Sequence, residues 1–185
     1  MFKKSLIFVL LLLLVFSVTG CTVKNEEVES NVEIVEEVGT EVEVPVEESP
    51  YLVFVDGMDR DITLDKEPMT IVSVAPSVTE TIFALGASDK LVGRTDYCDY
   101  PLEASSIESV GSLMDVNIEK IVEINPDIVI ASTHFKAETL EKLTDLDINV
   151  AVIIAEESFD RVYSNIETIG KIVNRNDESS VIIDE

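Results

Sequence analysis

In this chain of 185 residues, two short loops contain side chains that could act as nucleophile, base or metal ligand. The first is TDYCDYP, residues 95–101, in which Cys98 stands among two aspartates and two tyrosines. The second contains His134, the single histidine of the sequence. A thiol beside an imidazole can act as a nucleophile, so an enzyme would need Cys98 and His134 side by side in the fold. No motif supports this pair, and an enzyme that uses Cys98 is a minor alternative.

The same loops make a poor metal site. One histidine does not supply the several imidazoles of a zinc or manganese binder. Asp96, Cys98 and Asp99 are so close in sequence that they rarely point at one centre without a second set of ligands. We therefore predict no resident metal and no cofactor. We expect Cys98 to be a small buried apolar group.

The N-terminus has the organisation of an export signal. Lys3 and Lys4 precede an apolar run, residues 5–18, that is short for a membrane span but suits a signal peptide. The sequence VTGC, residues 18–21, then resembles the lipobox of bacterial lipoproteins. This resemblance implies cleavage before Cys21 and a lipid on Cys21. An ordinary signal peptide or an uncleaved anchor is the alternative.

Charge distinguishes the segment that follows. Residues 22–50 contain ten glutamates, one lysine and no aromatic residue, which favours a disordered, extended tether.

The whole chain has a formal net charge of −24, which argues against nucleic acid and anionic membrane surfaces as partners. The presence of only two cysteines argues against a disulfide scaffold. About 135 residues remain after the tether, enough for one core.

Strand patterns begin at Tyr51. YLVFVDGMDRDITL, residues 51–64, is typical of a β-hairpin that turns at Asp56-Gly57. Further apolar runs predict strands at 70–74, in LVGRT, at 127–131 and in NVAVII. Each of these runs is short, as expected of buried strands.

Helix signals separate the strands. Ser77 and Glu80 have the spacing of a capping box, which predicts a helix that begins at Ser77 and stops at Gly86. Asn117 and Ser158 are predicted to cap two more helices, and KAETLEKL predicts another. Strands that alternate with helices indicate an α/β fold, a parallel sheet flanked by helices on both faces.

In such sheets, ligands usually bind at the loops that follow the carboxyl ends of the strands. Three loops fit this position: residues 75–79, 95–101 and 132–135. The first combines hydroxyls with a helix N-terminus, which suits polar or anionic groups of a ligand. The residues alone therefore predict an exported α/β binding domain with its site at the loop face.

The order of these motifs resembles a known family. TIVSVAPSVTETIFALGASDKLVGRTDYCDYP and then VGSLMDVNIEKIVEINPDIVIAS look like the N-terminal lobe of ABC-transporter substrate-binding proteins. Within them, the match is to the branch that binds cobalamin, ferric siderophores or haem, and it covers nearly all of residues 51–185. The resemblance implies two lobes joined by a long helix, with the ligand held between them. It also implies a non-catalytic protein.

The resemblance implies ligand contacts for several residues. Tyr97 matches the aromatic position that can stack on a flat macrocycle, and packing is its alternative. Ser77 matches the helix-capping position that lines the cleft, with Thr79 in the same motif. Leu113 falls where cobalamin binders can place a tryptophan, and Met114 is beside it. The chain has no tryptophan, which favours a siderophore or haem over cobalamin.

Two further positions are candidates, Glu119 by this resemblance and His134 by its place in the third loop. Glu119 matches the surface glutamate by which the lobe docks on a basic pocket of the permease; a solvated first-turn glutamate is its alternative. His134 is a candidate ligand contact and could be an axial haem ligand, although a surface histidine is the default. Neither position has a motif that assigns its role without the family.

The expected organisation is a signal peptide at 1–20, a lipidated Cys21 with a tether at 21–50, and the N-terminal lobe at 51–185. NRNDESSVIIDE, residues 174–185, is interpreted as the start of the linking helix. We expect the sequence to be a fragment that lacks the C-terminal lobe, with a native single-lobe protein as the alternative.

The predicted function is capture of a metal chelate outside the cell membrane, where a lipid anchor holds the protein. The resemblance implies that the chelate is then delivered to an ABC permease driven by a cytoplasmic ATPase. ATP hydrolysis is assigned to that separate protein because this chain has no nucleotide-binding loop. A surface lipoprotein with an adhesive or structural role, outside transport, is the main alternative.

Overall fold

A computed structural model describes residues 49–155 and 158–185. The predictions for the signal peptide, for Cys21 and for most of the acidic tether lie outside these residues. The strands are β1 (Leu52–Val55), β2 (Asp61–Leu64), β3 (Ile71–Ser73), β4 (Leu91–Arg94), β5 (Gly111–Ser112), β6 (Asp115–Val116), β7 (Ile128–Ser132) and β8 (Val150–Ile153). The α-helices are α1 (Pro76–Ala84), α2 (Ile118–Ile124), α3 (Ala137–Thr144), α4 (Phe159–Val173) and α5 (Asn176–Asp184).

The first two strands form the predicted hairpin. β1 and β2 pair antiparallel, with Val53 opposite Thr63. The buried carboxylate of Asp56 organises the turn, because it accepts hydrogen bonds from the backbone N–H groups of Met58 and Arg60 at 2.9 and 3.1 Å. Arg60 also pairs with this carboxylate through its guanidinium. Alternating burial along β1 then places Leu52 and Phe54 against the core.

The central sheet has four parallel strands in the order β4-β3-β7-β8. β3 and β7 are buried along their whole length, as expected for strands covered on both faces. One face of the sheet packs on α1 and α4, and the other packs on α2 and α3. The predicted α/β fold, a parallel sheet flanked by helices, is therefore confirmed.

Two of the predicted helix caps are confirmed. Asn117 Oδ1 accepts a hydrogen bond from Lys120 N at 3.0 Å, and the Ser158 side chain accepts one from Arg161 N at 3.4 Å. Each bond satisfies a backbone donor that a helix N-terminus leaves without an intrahelical partner.

The capping box at Ser77 is wrong. α1 begins one residue earlier, at Pro76, and its N-cap is Ala75, which has no side-chain acceptor. Proline suits the first helical position because its fixed φ is already helical and its missing N–H is not needed there. Ser77 therefore lies inside the first turn. The predicted stop at Gly86 is confirmed, because this residue has a φ of +68° directly after the helix C-cap Leu85.

The chain ends in a helix, as predicted for residues 174–185, but α4 and α5 are separate. Asn174 has a φ of +58° and ends α4. α5 then packs back against α4, and Ser179 lies so close to Gly170 that a Cβ there would be 2.7 Å from the serine Cβ. Its role as a linking helix stays a prediction. Among the described residues, no helix is long and apolar enough to cross a membrane.

Candidate ligand-binding face

The direction of the chain changes between β3 and β7. From β3 the chain runs through α1 to β4 on one side, whereas from β7 it runs through α3 to β8 on the other. Open α/β sheets bind ligands in the crevice at such a switch, outside the carboxyl ends of the strands. We call the loops after β3, β4 and β7, together with the β5–β6 hairpin, the ligand face.

A buried hydroxyl cluster supports this face from below. Thr79 Oγ1 donates to Ser73 Oγ at 2.8 Å, and Ser73 Oγ donates to the Ala75 carbonyl at 3.1 Å. Thr95 N donates to the Ser73 carbonyl at 3.2 Å, which ties the loop after β4 to β3. All four of these residues are buried. The cluster therefore fixes the start of two loops of the ligand face.

This placement changes the interpretation of Thr79. We expected its hydroxyl to line the cleft, but Thr79 is fully buried and its hydroxyl is bonded to Ser73. Its position in α1 turns the side chain toward the sheet rather than toward the loops. Thr79 therefore positions the site from beneath and does not reach its surface.

Cys98 is buried in the same cluster, as expected. Its Sγ lies 3.2 Å from Thr95 Oγ1 and 4.0 Å from the Ser73 carbonyl. His134, in contrast, is exposed on the loop after β7. The Cys98 thiol is therefore buried inside the fold and is not exposed at the surface of the ligand face. Within the described residues, no group of three or more potential ligands could hold a metal ion.

Tyr97 and the β5–β6 hairpin are brought together on the ligand face. Asp96 N donates to the Gly111 carbonyl at 2.8 Å, which joins the loop after β4 to the first residue of β5. Tyr97 is 65% exposed and Met114 is 60% exposed. Leu113 is half-buried because it packs against the core beneath the hairpin. An exposed aromatic ring and a thioether thus stand on neighbouring segments.

His134 and Ser77 occupy other parts of the face. The His134 loop is held at both sides, because Phe135 is buried and Ala155 N donates to Thr133 Oγ1 at 3.0 Å. Ser77 is half-buried and lines a groove of about 250 Å³ between α1 and α4. His134 is therefore on the surface of the ligand face, and Ser77 is at its border.

The sequence interpretation missed three exposed apolar side chains. Tyr100 is 68% exposed and Leu102 is 81% exposed in the continuation of the loop after β4. Phe159 is 79% exposed at the first position of α4, which follows the carboxyl end of β8. Only Tyr100 had a usable signal, the second tyrosine of TDYCDYP. Contiguous exposed apolar patches mark binding surfaces, whereas single exposed apolar side chains are ordinary.

Glu119 lies beside this face on a separate element. It is exposed in the first turn of α2, which begins directly after the β5–β6 hairpin. Its neighbour Lys120 is tied to the preceding loop, where its Nζ donates to the Ser109 carbonyl at 2.9 Å and pairs with Glu108 at 3.2 Å. The Glu119 carboxylate is thus presented to solvent at the border of the ligand face.

Comparisons with known proteins point to one family. A family model described as periplasmic binding protein matches residues 71–185. The uncharacterized ABC transporter substrate-binding lipoprotein YvrC of Bacillus subtilis is 42% identical over 119 residues, which are 63% of this chain and 38% of YvrC. The vitamin B12-binding protein of Vibrio parahaemolyticus is 31% identical over 126 residues, which are 67% of this chain and 42% of that protein.

A solved structure supports the same assignment. The crystal structure of the periplasmic vitamin B12-binding protein BtuF of Vibrio cholerae has a TM-score of 0.59 and 30% sequence identity, with coverage of 64% of this chain and 46% of that one. The chain spans about two fifths of the length of the curated relatives that it matches.

Proposed function

This chain belongs to the periplasmic binding protein family, and we propose that it binds a metal chelate as the substrate-binding component of an ABC importer. The chelate is cobalamin, haem or a ferric siderophore. The observation that carries this proposal is the ligand face at the topological switch of the sheet, where the Tyr97 ring and the Met114 thioether are both exposed on segments joined by the Asp96–Gly111 hydrogen bond. The flat face of an aromatic ring and a polarizable thioether both suit a large, flat, partly apolar ligand.

The rest of the proposal concerns where the protein acts. Residues 51–185 form the N-terminal lobe, a lipid on Cys21 anchors the protein outside the membrane, and residues 22–50 tether the lobe to the anchor. The name of the Bacillus relative, a substrate-binding lipoprotein, supports this arrangement. Binding and release of the chelate need no catalytic step. Glu119, exposed beside the ligand face, is proposed to contact a basic pocket of the permease.

Equilibrium dialysis against cyanocobalamin, haemin and a ferric siderophore tests the binding. We expect one of the three to be retained, and Tyr97→Ala or Met114→Ala to weaken its retention roughly 2- to 13-fold, the loss of a contact of about 0.5–1.5 kcal/mol. Met69→Ala is the matched control. Met69 is 58% exposed but precedes β3, so it lies at the amino ends of the parallel strands, away from the ligand face.

Two results would contradict the proposal. One is that none of the three chelates is retained by the unmodified protein. The other is that Met69→Ala weakens retention as much as Met114→Ala does, which would place the ligand away from the ligand face.

A further inference from the structure

The charges around Tyr97 have one sign. Between Thr95 and Val116 the sequence contains five carboxylates and no lysine, arginine or histidine. Three of the acids lie on the ligand face itself, and all three are exposed: Asp96 and Asp99 in the loop after β4, and Asp115 at the start of β6. We call residues 95–102 and 111–116 the acidic rim.

The two cations that flank the acidic rim are already engaged. Arg94 Nε donates to the Ala104 carbonyl at 2.9 Å, and its two terminal nitrogens donate to the Thr95 and Ser105 carbonyls at 3.0 and 3.2 Å. Lys120 Nζ is held by the Ser109 carbonyl and by Glu108. Both cations are held by groups of the protein outside the rim or on its backbone, so the charged side chains of the rim itself are carboxylates.

The other side of the ligand face has a different charge. The loop after β7 carries His134 and Lys136, both exposed. Lys136 lies near Glu138 and contributes, after the hydrogen bond from Lys142 and the charge of Lys142, to holding the pKa of Glu138 below its usual range. The positive charge of Lys136 is thus partly offset by the neighbouring carboxylate of Glu138. The rim, which has carboxylates and no cation, is the more negative part of the ligand face.

We propose that the acidic rim selects the ligand by charge, so that the protein takes neutral or cationic flat chelates and rejects polyanionic ones. This inference rests on the proposed function and narrows its ligand class. Tyr97 and Tyr100 contribute as well, because the faces of aromatic rings attract cations and stack on flat rings. A polyanionic chelate would bring its negative groups next to three carboxylates without a cation of the rim to receive them.

A pair of porphyrins with the same ring tests this selection, one with four N-methylpyridinium groups and the other with four sulfonatophenyl groups. We expect the cationic porphyrin to bind the unmodified full chain at least tenfold more tightly at 0.15 M salt. In the double variant Asp99→Asn/Asp115→Asn the ratio should shrink by roughly 4- to 25-fold, since a close exposed charge pair changes affinity by about two- to fivefold.

A matched control separates the rim from the overall charge of the protein. Asp65→Asn/Asp89→Asn removes the same two charges at exposed positions after β2 and before β4, at the opposite edge of the sheet. We expect this control to leave the ratio within twofold of the unmodified protein. An equal effect of both double variants would overturn the proposal, because the preference would then come from the net charge.

The remaining outcomes distinguish a failure of selection by charge from a failure of the proposed function. If both porphyrins bind equally and Met114→Ala weakens both, selection by charge is wrong and the proposed function stands. If neither porphyrin binds and the dialysis retains no chelate, the proposed function fails, and selection by charge fails with it.

Discussion

The salt bridge between Glu67 and Lys90 gives the sharpest prediction about stability. Lys90 is almost completely buried, with only 4% of its side chain exposed, and its Nζ pairs with Glu67 and donates to the Val173 carbonyl at 2.9 Å. Glu67 in turn accepts a hydrogen bond from Asn174 Nδ2 at 2.8 Å. The pair therefore joins the connection before β3, the turn before β4 and the end of α4.

Replacing Glu67 by alanine would leave a buried ammonium with one remaining acceptor. Breaking a fully buried pair in this way costs about 3–5 kcal/mol. The Glu67 side chain is 32% exposed, so water can replace part of the lost contact, and we expect a loss of about 2–3 kcal/mol in the free energy of unfolding. Lys90→Met, which removes the buried charge but keeps the length of the side chain, should cost only about 1 kcal/mol.

Urea unfolding, followed by circular dichroism, measures both losses and their coupling. With a slope of about 2 kcal/mol/M, Glu67→Ala should lower the midpoint by roughly 1 M. The double variant Glu67→Ala/Lys90→Met should be more stable than Glu67→Ala, because it no longer buries an unpaired charge. A double variant that is less stable than Glu67→Ala alone would refute this reasoning.

Three further predictions concern other positions. Gly111→Ala should lower the free energy of unfolding, measured in urea, by about 2 kcal/mol, because Gly111 has a φ of +99° and a Cβ would lie 2.6 Å from the Asp115 carbonyl oxygen. Gly86→Ala is the control: Gly86 has a φ of +68° but open space around it, so the loss should be about 1 kcal/mol. Burial raises the pKa of Asp127, but hydrogen bonds, the largest from Lys66, lower it well below its usual range. The stabilisation from Asp127 should be complete above about pH 4 and be lost as the pH falls, and urea midpoints of Asp127→Asn should change less over that range. In cells that contain the intact importer, Glu119→Ala should reduce uptake and leave ligand binding unchanged; equal uptake at equal expression would argue against docking.

The sequence predicted the fold because its signals are local. Short buried runs such as residues 70–74 are separated by amphipathic segments, and Asn117 and Ser158 mark helix starts through their own side chains. The predicted strand at 127–131 is displaced by only one residue, since the structure has it at Ile128–Ser132. These features depend on neighbours in the chain, which a sequence displays directly.

The misses came from interactions between distant or competing residues. The Ser77 cap was wrong because Pro76 takes the first helical position, which moves the N-cap to Ala75. Thr79 is buried against Ser73, and this contact forms only when α1 packs on β3. Lys90 and Glu67 are 23 residues apart, and no spacing rule joins them. Such contacts follow from the tertiary structure.

Hydrogen exchange in the presence of each of the three chelates tests the central claim most directly. The proposal predicts that the retained chelate slows exchange in residues 95–101, 111–116 and 133–136, three of the four segments of the ligand face. Residues 63–68, at the opposite edge of the sheet, should exchange at an unchanged rate. Protection confined to residues 63–68, or protection nowhere in the chain, would contradict the claim that the ligand binds at the carboxyl ends of the parallel strands.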